Sequence, residues 1–213
     1  MKPILTTLVL VIGLAGASAN ERAHRVEIKN IETEIQQTPD FQVNGLKNKK
    51  FNPRHWLEIE AELEVQTTDD KGQIDPKGFI PEITASWYVI IRDKQSAKPV
   101  MLTGKVTFKE IRTKDKTAYL SVYISPDTLE KLTGENKPSD KDIEGVALVI
   151  SGPGINSEDE HKKGLQKATV HEDKRWWIGS QYKTMEGNVL AKSKTPFASL
   201  WSDRYPVEKS DKE

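Results

Sequence analysis

Between Trp56 and Val65 the chain reads W-L-E-I-E-A-E-L-E-V. Leu57, Ile59, Ala61, Leu63 and Val65 alternate without a break against Glu58, Glu60, Glu62 and Glu64. A period of two puts the five apolar side chains on one face of a strand and the four carboxylates on the other. As a helix the same stretch would have no apolar stripe. A slip of one residue would turn four glutamates inward, at several kcal/mol each unless paired. The proper register gains roughly 1.5–3 kcal/mol gross for each large inward side chain. The pattern therefore predicts a strand with one buried and one wet face.

The same reading extends along the chain. His24 to Ile35 starts with Val26 and Ile28 inward, then changes phase to Ile31 and Ile35, which predicts a bulge or a strand that changes sheets. Residues 36–53 hold Pro39, Asn44-Gly45 and a lysine cluster, and read as a loop. Ile83 to Asp93 is apolar on both faces and hence central, with Trp87 as a candidate core tryptophan. In Lys98 to Ile111, Val106 and Phe108 oppose Lys105 and Lys109, lysines expected to lie across from the glutamate face. Thr117 to Ser125 points Tyr119 and Tyr123 outward. Ser125-Pro126-Asp127 opens a short helix that Gly134 can close. Glu144 to Ser151 is another central strand. Arg175 to Thr184 reads as extended, Glu186-Gly187-Asn188 as a hairpin turn into Val189–Lys192, and Pro206 to Glu213 as a polar tail. With no βαβ rhythm, this predicts an all-β immunoglobulin-like sandwich of seven to eight strands with one short helix.

The N-terminus changes the picture of location. Lys2, the apolar run Pro3 to Leu14 and Ala17-Ser18-Ala19 form the pattern of a secretory signal peptide, cleaved after Ala19. The expected organisation is a signal over 1–19, one domain over 20–205 and a flexible tail over 206–213, in an extracytoplasmic setting. The run is short for a membrane span, and no later stretch is apolar for long enough. The chain has 213 residues, 32 basic and 32 acidic, so its charge gives no electrostatic case for nucleic acid or an anionic membrane. There is no cysteine, so neither a disulfide nor a thiolate metal site contributes.

Candidate chemistry is sparse. His24, His55, His161 and His171 lie at no metal-ligand spacing. Asp69, Asp70 and Asp75 do not follow a calcium-loop pattern and read as turn residues. No G-x-S-x-G occurs. The glutamate row has the separation of paired carboxylates, roughly 6.5–7 Å, but reads as a solvated, lysine-compensated face. No catalytic residue, metal or cofactor is nominated. The five tryptophans are the better lead. On a strand, one of Trp176 and Trp177 faces out, and with Tyr182 it would offer a ring for stacking a sugar or anchoring a protein partner.

The segments F-N-P-R-H-W-L-E-I-E (Phe51 to Glu60), S-G-P-G-I-N (Ser151 to Asn156), R-W-W-I-G-S-Q-Y-K-T (Arg175 to Thr184) and T-P-F-A-S-L-W (Thr195 to Trp201) carry a resemblance. The chain resembles exported immunoglobulin-like proteins of Verrucomicrobia that are encoded beside type IV pilus assembly genes. That resemblance implies a part in a pilus-like surface assembly. A pilin would retain its apolar helix, whereas this apolar run precedes a cleavage site, so an accessory role is implied. It designates no catalytic residue.

The leading expectation is a non-enzymatic interaction protein with partners in the cell envelope or pilus assembly, or with itself. The alternative is a carbohydrate-binding module using Trp176, Trp177 and Tyr182. The third is a secreted hydrolase.

Overall fold

The computed structural model describes residues 23–41, 51–69, 71–155, 164–171 and 174–210. The predicted signal peptide lies outside these residues, as does His161. Two sheets face one another, and no helix among the described residues is long and apolar enough to cross a membrane.

The first sheet has the order β1 (His24–Gln37), β2 (His55–Thr67), β5 (Thr117–Ile124), β9 (Leu190–Ala191). The second runs β10 (Val207–Glu208), β4 (Lys98–Arg112), β3 (Phe79–Asp93), β6 (Ile143–Ser151), β7 (Gln166–Ala168), with β8 (Lys183–Glu186) beside β4 in parallel. Strands one, two and five in one layer with four, three, six and seven in the other is the interleaving of an immunoglobulin-like sandwich. Among the described residues, eight strands have three or more residues, and the C-terminal segment adds two short ones.

The core follows the alternation. Leu57, Ile59, Ala61, Leu63 and Val65 of β2 are fully buried, as are Ile83, Ala85, Trp87, Val89 and Ile91 of β3. The phase change in β1 is a bulge between Ile28 and Asn30 against β2, which returns Ile31 to the inner face. The single α-helix among the described residues, α1 (Pro126–Thr133), starts as its residues dictate: the Ser125 hydroxyl accepts from the Thr128 amide at 3.3 Å. Gly134 closes it in the left-handed region, at φ 71°, with its N–H on the Glu130 carbonyl.

Four expectations are corrected. Lys105 and Lys109 belong to β4 of the second sheet, so they do not face the β2 glutamates; Lys109 lies opposite Glu82. Residues 186–192 form no hairpin: β8 lies beside β4 and β9 beside β5, so this stretch crosses from one sheet to the other. Arg175 to Ile178 is not extended. Arg175 sits at φ 42° and Trp176–Ile178 form a 3₁₀ turn. The polar tail is shorter than expected, because Val207 and Glu208 pair with Lys109 and Phe108.

The C-terminal segment is thus a strap. It touches the second sheet at β8, the first at β9 and the second again at β10, closing the edge formed by β4 and β5. Gly104 of β4 permits the crossing. A Cβ there would lie 2.1 Å from the Val189 carbonyl oxygen, so only glycine lets the strap pass this close.

Candidate functional site

The outer face of the first sheet carries rows of ionisable groups. On β2 the glutamates point outward as their spacing requires, and Tyr119, Ser121 and Tyr123 of β5 lie opposite Glu62, Glu60 and Glu58. The strap then folds over these rows. Phe197 stacks on Tyr123, with centroids 4.7 Å apart and planes at 9°, and meets Trp56 edge-on at 5.9 Å.

Beneath that cover the glutamates differ sharply. Glu58 is only 7% exposed. It accepts the Tyr123 hydroxyl at 2.5 Å and the Tyr205 hydroxyl at 3.4 Å. Burial raises its carboxyl above the usual range, and the Tyr123 hydrogen bond offsets this only in part. Glu60 is also partly desolvated, but there the donors win. Arg204 donates from Nε at 3.0 Å and Nη2 at 2.6 Å, Tyr205 donates at 2.5 Å, and the carboxyl is held below its ordinary range. Burial, together with hydrogen bonding to these carboxylates, pushes both tyrosine hydroxyls up, so they remain donors. Arg204 also lies over the Tyr119 ring at 3.7 Å.

Lys192 completes the group. It is 6% exposed, donates to the Ala198 carbonyl at 3.0 Å and sits 5.5 Å over the Tyr205 ring. Burial lowers its ammonium. Both carboxylates take donors from the chain itself, so the cluster acts as a clasp that holds the strap. The glutamate row is therefore not the uniformly solvated face its alternation predicts.

Toward β1 the face becomes acidic and open. The register sets Glu34 opposite Glu58, Glu32 opposite Glu60 and Glu27 opposite Glu64. Lys29 bridges Glu27 and Glu64, at 2.8 Å from each. Among the described residues, Glu32, Glu34 and Glu62 form no ion pair, and no strand pairs with the outer edge of β1 beyond its first turn of contacts at His24 and Ile28.

The predicted contact residues are placed differently. Trp176 and Trp177 are 4% and 5% exposed. They pack edge-to-face at 5.6 Å on the outer face of the second sheet, with Ile90, Met101, Ala147 and Ala168. Trp176 Nε1 donates to the Val170 carbonyl at 2.9 Å, and half-buried Tyr182 meets Trp176 edge-on at 6.3 Å. The structure brings the three together, but as a small second core that shields the apolar outer face of β3 and β6. Neither tryptophan presents a ring for stacking, because a 3₁₀ turn lays both onto the sheet. The exposed tryptophan is Trp201, at 47%.

The remaining candidates have structural roles. His24 is buried and its Nδ1 lies 2.7 Å from the Thr67 hydroxyl. Asp69 accepts the amides of Lys71 and Gln73, and Asp75 that of Lys77, as turn residues do. No group of metal-binding side chains is found among the described residues.

A protein-family model matches residues 17–212. The chain belongs to that family. The match runs through both sheets and the strap. A crystal structure of a protein from Akkermansia muciniphila is similar with a TM-score of 0.74 and 20% sequence identity, covering 89% of this chain and 95% of that one. Akkermansia is a member of the Verrucomicrobia, the group to which the quoted segments point. At that identity the likeness speaks for the fold. A search of curated protein sequences finds no match.

Proposed function

We propose that the protein is a non-enzymatic, extracytoplasmic interaction domain, and that its open β1–β2 face takes a basic partner protein within a surface assembly related to type IV pili. The observation that carries this reading is the set of like-charge pairs across β1 and β2. Carboxylates placed directly opposite one another destabilise a sheet. Lys29 and Arg204 relieve Glu64 and Glu60, but Glu32, Glu34 and Glu62 receive no cation from the described residues. A basic surface would supply the missing charge. The same repulsion disfavours pairing of two copies through this face.

The extracytoplasmic setting is supported by the leader pattern, and the pilus context by the resemblance of the four segments quoted above. The clasp favours binding over catalysis, since Glu58 and Glu60 are engaged by Tyr123, Tyr205 and Arg204.

Cross-linking and pull-down from the native cell envelope test the proposal. The protein should retain pilus-assembly components, and the triple charge reversal E32K/E34K/E62K should lose them while folding normally. Retention should weaken as salt rises, because rim charges are screened. Capture of no pilus-assembly protein removes the pilus reading, and unchanged capture by the charge-reversed protein removes the acidic face.

A further inference from the structure

The strap encloses more than a clasp. Along β4, β8 pairs with Val100–Thr103 and β10 with Phe108–Lys109. Between these two contacts the strap leaves for the first sheet, and a cleft of about 540 Å3 opens over Lys105, Val106 and Thr107, with Ser193 and Lys194 on its other side. A second cleft of about 280 Å3 lies under the strap, lined among others by Ser121, Lys192, Ser202 and Tyr205. Ser193 and Glu208 form a wall common to both.

The linings have a consistent chemistry. Ser121 is 1% exposed and its hydroxyl has no hydrogen-bond partner, although a buried hydroxyl left in that state is costly. It lies in the inner cleft with the buried Lys192, whose ammonium has three donors and gives one to Ala198. Glu208 lines both clefts as well and offsets part of that charge, its two carboxylate oxygens accepting the amides of Lys192 and Ser193 at 2.9 and 3.1 Å. The outer cleft adds Lys105, which makes no ion pair among the described residues, and Lys194; Lys209 is paired with Glu82 at 2.7 Å. Ser193, Ser202, Thr107 and Tyr205 line the clefts too, although the Thr107 hydroxyl is shared with that of Thr84 at 3.1 Å and the Tyr205 hydroxyl donates to Glu60. Glu32 and Glu34 of β1 lie toward the opposite edge of the first sheet, whereas Glu58 and Glu60 of β2 border the inner cleft through Tyr205, which donates to both.

We propose that the paired clefts bind an acidic saccharide, a hydroxylated ring carrying a carboxylate or a sulfate ester. Its charge sits against Lys192 and Lys105, and its ring hydroxyls engage Ser121 and the neighbouring serines. Neutral sugars forgo the charge, and simple anions forgo the hydroxyls. Volumes of this size are in the range of small-molecule sites. The inference concerns a different face and a different ligand class from the protein partner proposed above, so either stands without the other.

The test is an amide-resolved NMR titration of the purified protein with glucuronic acid, galactose 6-sulfate, glucose, galactose and sodium sulfate. One or both acidic sugars should shift the amides of Lys105, Ser121, Lys192 and Ser193 saturably, with an affinity around the millimolar range expected of a few polar contacts. Which of the two binds identifies the carboxylate or the sulfate ester as the group recognised. Ser121→Ala should weaken binding by about fivefold, the equivalent of one hydrogen bond. Lys105→Glu, at an exposed position where folding is not at stake, should weaken it at least as much. No saturable shift with either acidic sugar overturns the proposal. So does sodium sulfate shifting the same amides equally, or binding that is unchanged in Lys105→Glu.

Discussion

Arg204 grips Glu60 with two nitrogens, Nε at 3.0 Å and Nη2 at 2.6 Å, across 144 residues of sequence. This pair fixes the strap to the first sheet at the point where it turns back toward the second. Parallel hydrogen bonds of this kind are the stronger sort of ion pair. Arg204 is partly exposed, so its contribution is discounted for screening.

Glu60→Gln keeps the shape and removes the charge. Near neutral pH it should cost about 1–2 kcal/mol in urea unfolding. The sign with pH follows from the direction of the shift. The folded carboxyl is held below its unfolded value near 4.5, so its contribution is present above that value and lost as pH falls through the folded one. The deficit of Glu60→Gln should therefore shrink in acid. A deficit that stays constant across the acid range would show that the charge on Glu60 does not hold the strap.

Glu58 should behave in the opposite way. Burial raises its carboxyl, so its contribution is fully present below about 4.5 and is lost as pH rises through the folded value. Glu58→Gln should be neutral or stabilising near neutral pH, by up to about 1 kcal/mol, since an uncharged amide still accepts from Tyr123. The two unfolding curves should converge in acid. If Glu58→Gln instead loses more than Glu60→Gln, ionised Glu58 is a net support and the burial argument fails.

The alternation of residues 57–65 was legible because it depends only on neighbours two apart, and the bulge in β1 was legible as a phase change for the same reason. So were Ser125 and Gly134, which cap within one turn of where they stand. The clasp was not. Nothing near Glu58 in sequence distinguishes it from Glu62, and the difference arises from the strap, whose Phe197 stacks on Tyr123 beside Glu58 and whose Tyr205 reaches Glu58 from 147 residues away. The strap's crossing was hidden similarly. Glu186-Gly187-Asn188 has the composition of a hairpin turn, and only the partners on either side, β4 and β5, make it a bridge between sheets. Trp176 and Trp177 were misplaced because strand alternation was applied to a 3₁₀ turn. The apolar outer faces of β3 and β6 were in view, and they called for a cover of this kind.

That cover can be tested directly. Trp176→Ala removes a ring that is 4% exposed and should cost about 3–5 kcal/mol. Trp176→Phe retains most of the packing and loses the bond to Val170, for about 1 kcal/mol. The thermal midpoints should rank wild type, Phe, Ala. A small effect from Trp176→Ala would return this ring to the candidates for contact with a partner or glycan.

Gly104 offers the most selective probe of the strap. A Cβ there would lie 2.1 Å from the carbonyl oxygen and 2.7 Å from the Cβ of Val189, a core residue of the strap that is 4% exposed. The clash is with backbone, so a side-chain adjustment cannot relieve it, and the strap must move. Gly104→Ala should cost about 1–3 kcal/mol. The loss should be local: amides of Leu190 and Ala191, which pair with Tyr123 and Val122, should exchange faster, while those of β2 and β3 keep their protection. Hydrogen exchange resolves the two outcomes. Uniform acceleration would show that the strap and the sandwich unfold as one unit. Unchanged exchange at Leu190 and Ala191 would show that the strap is held independently of its passage over Gly104.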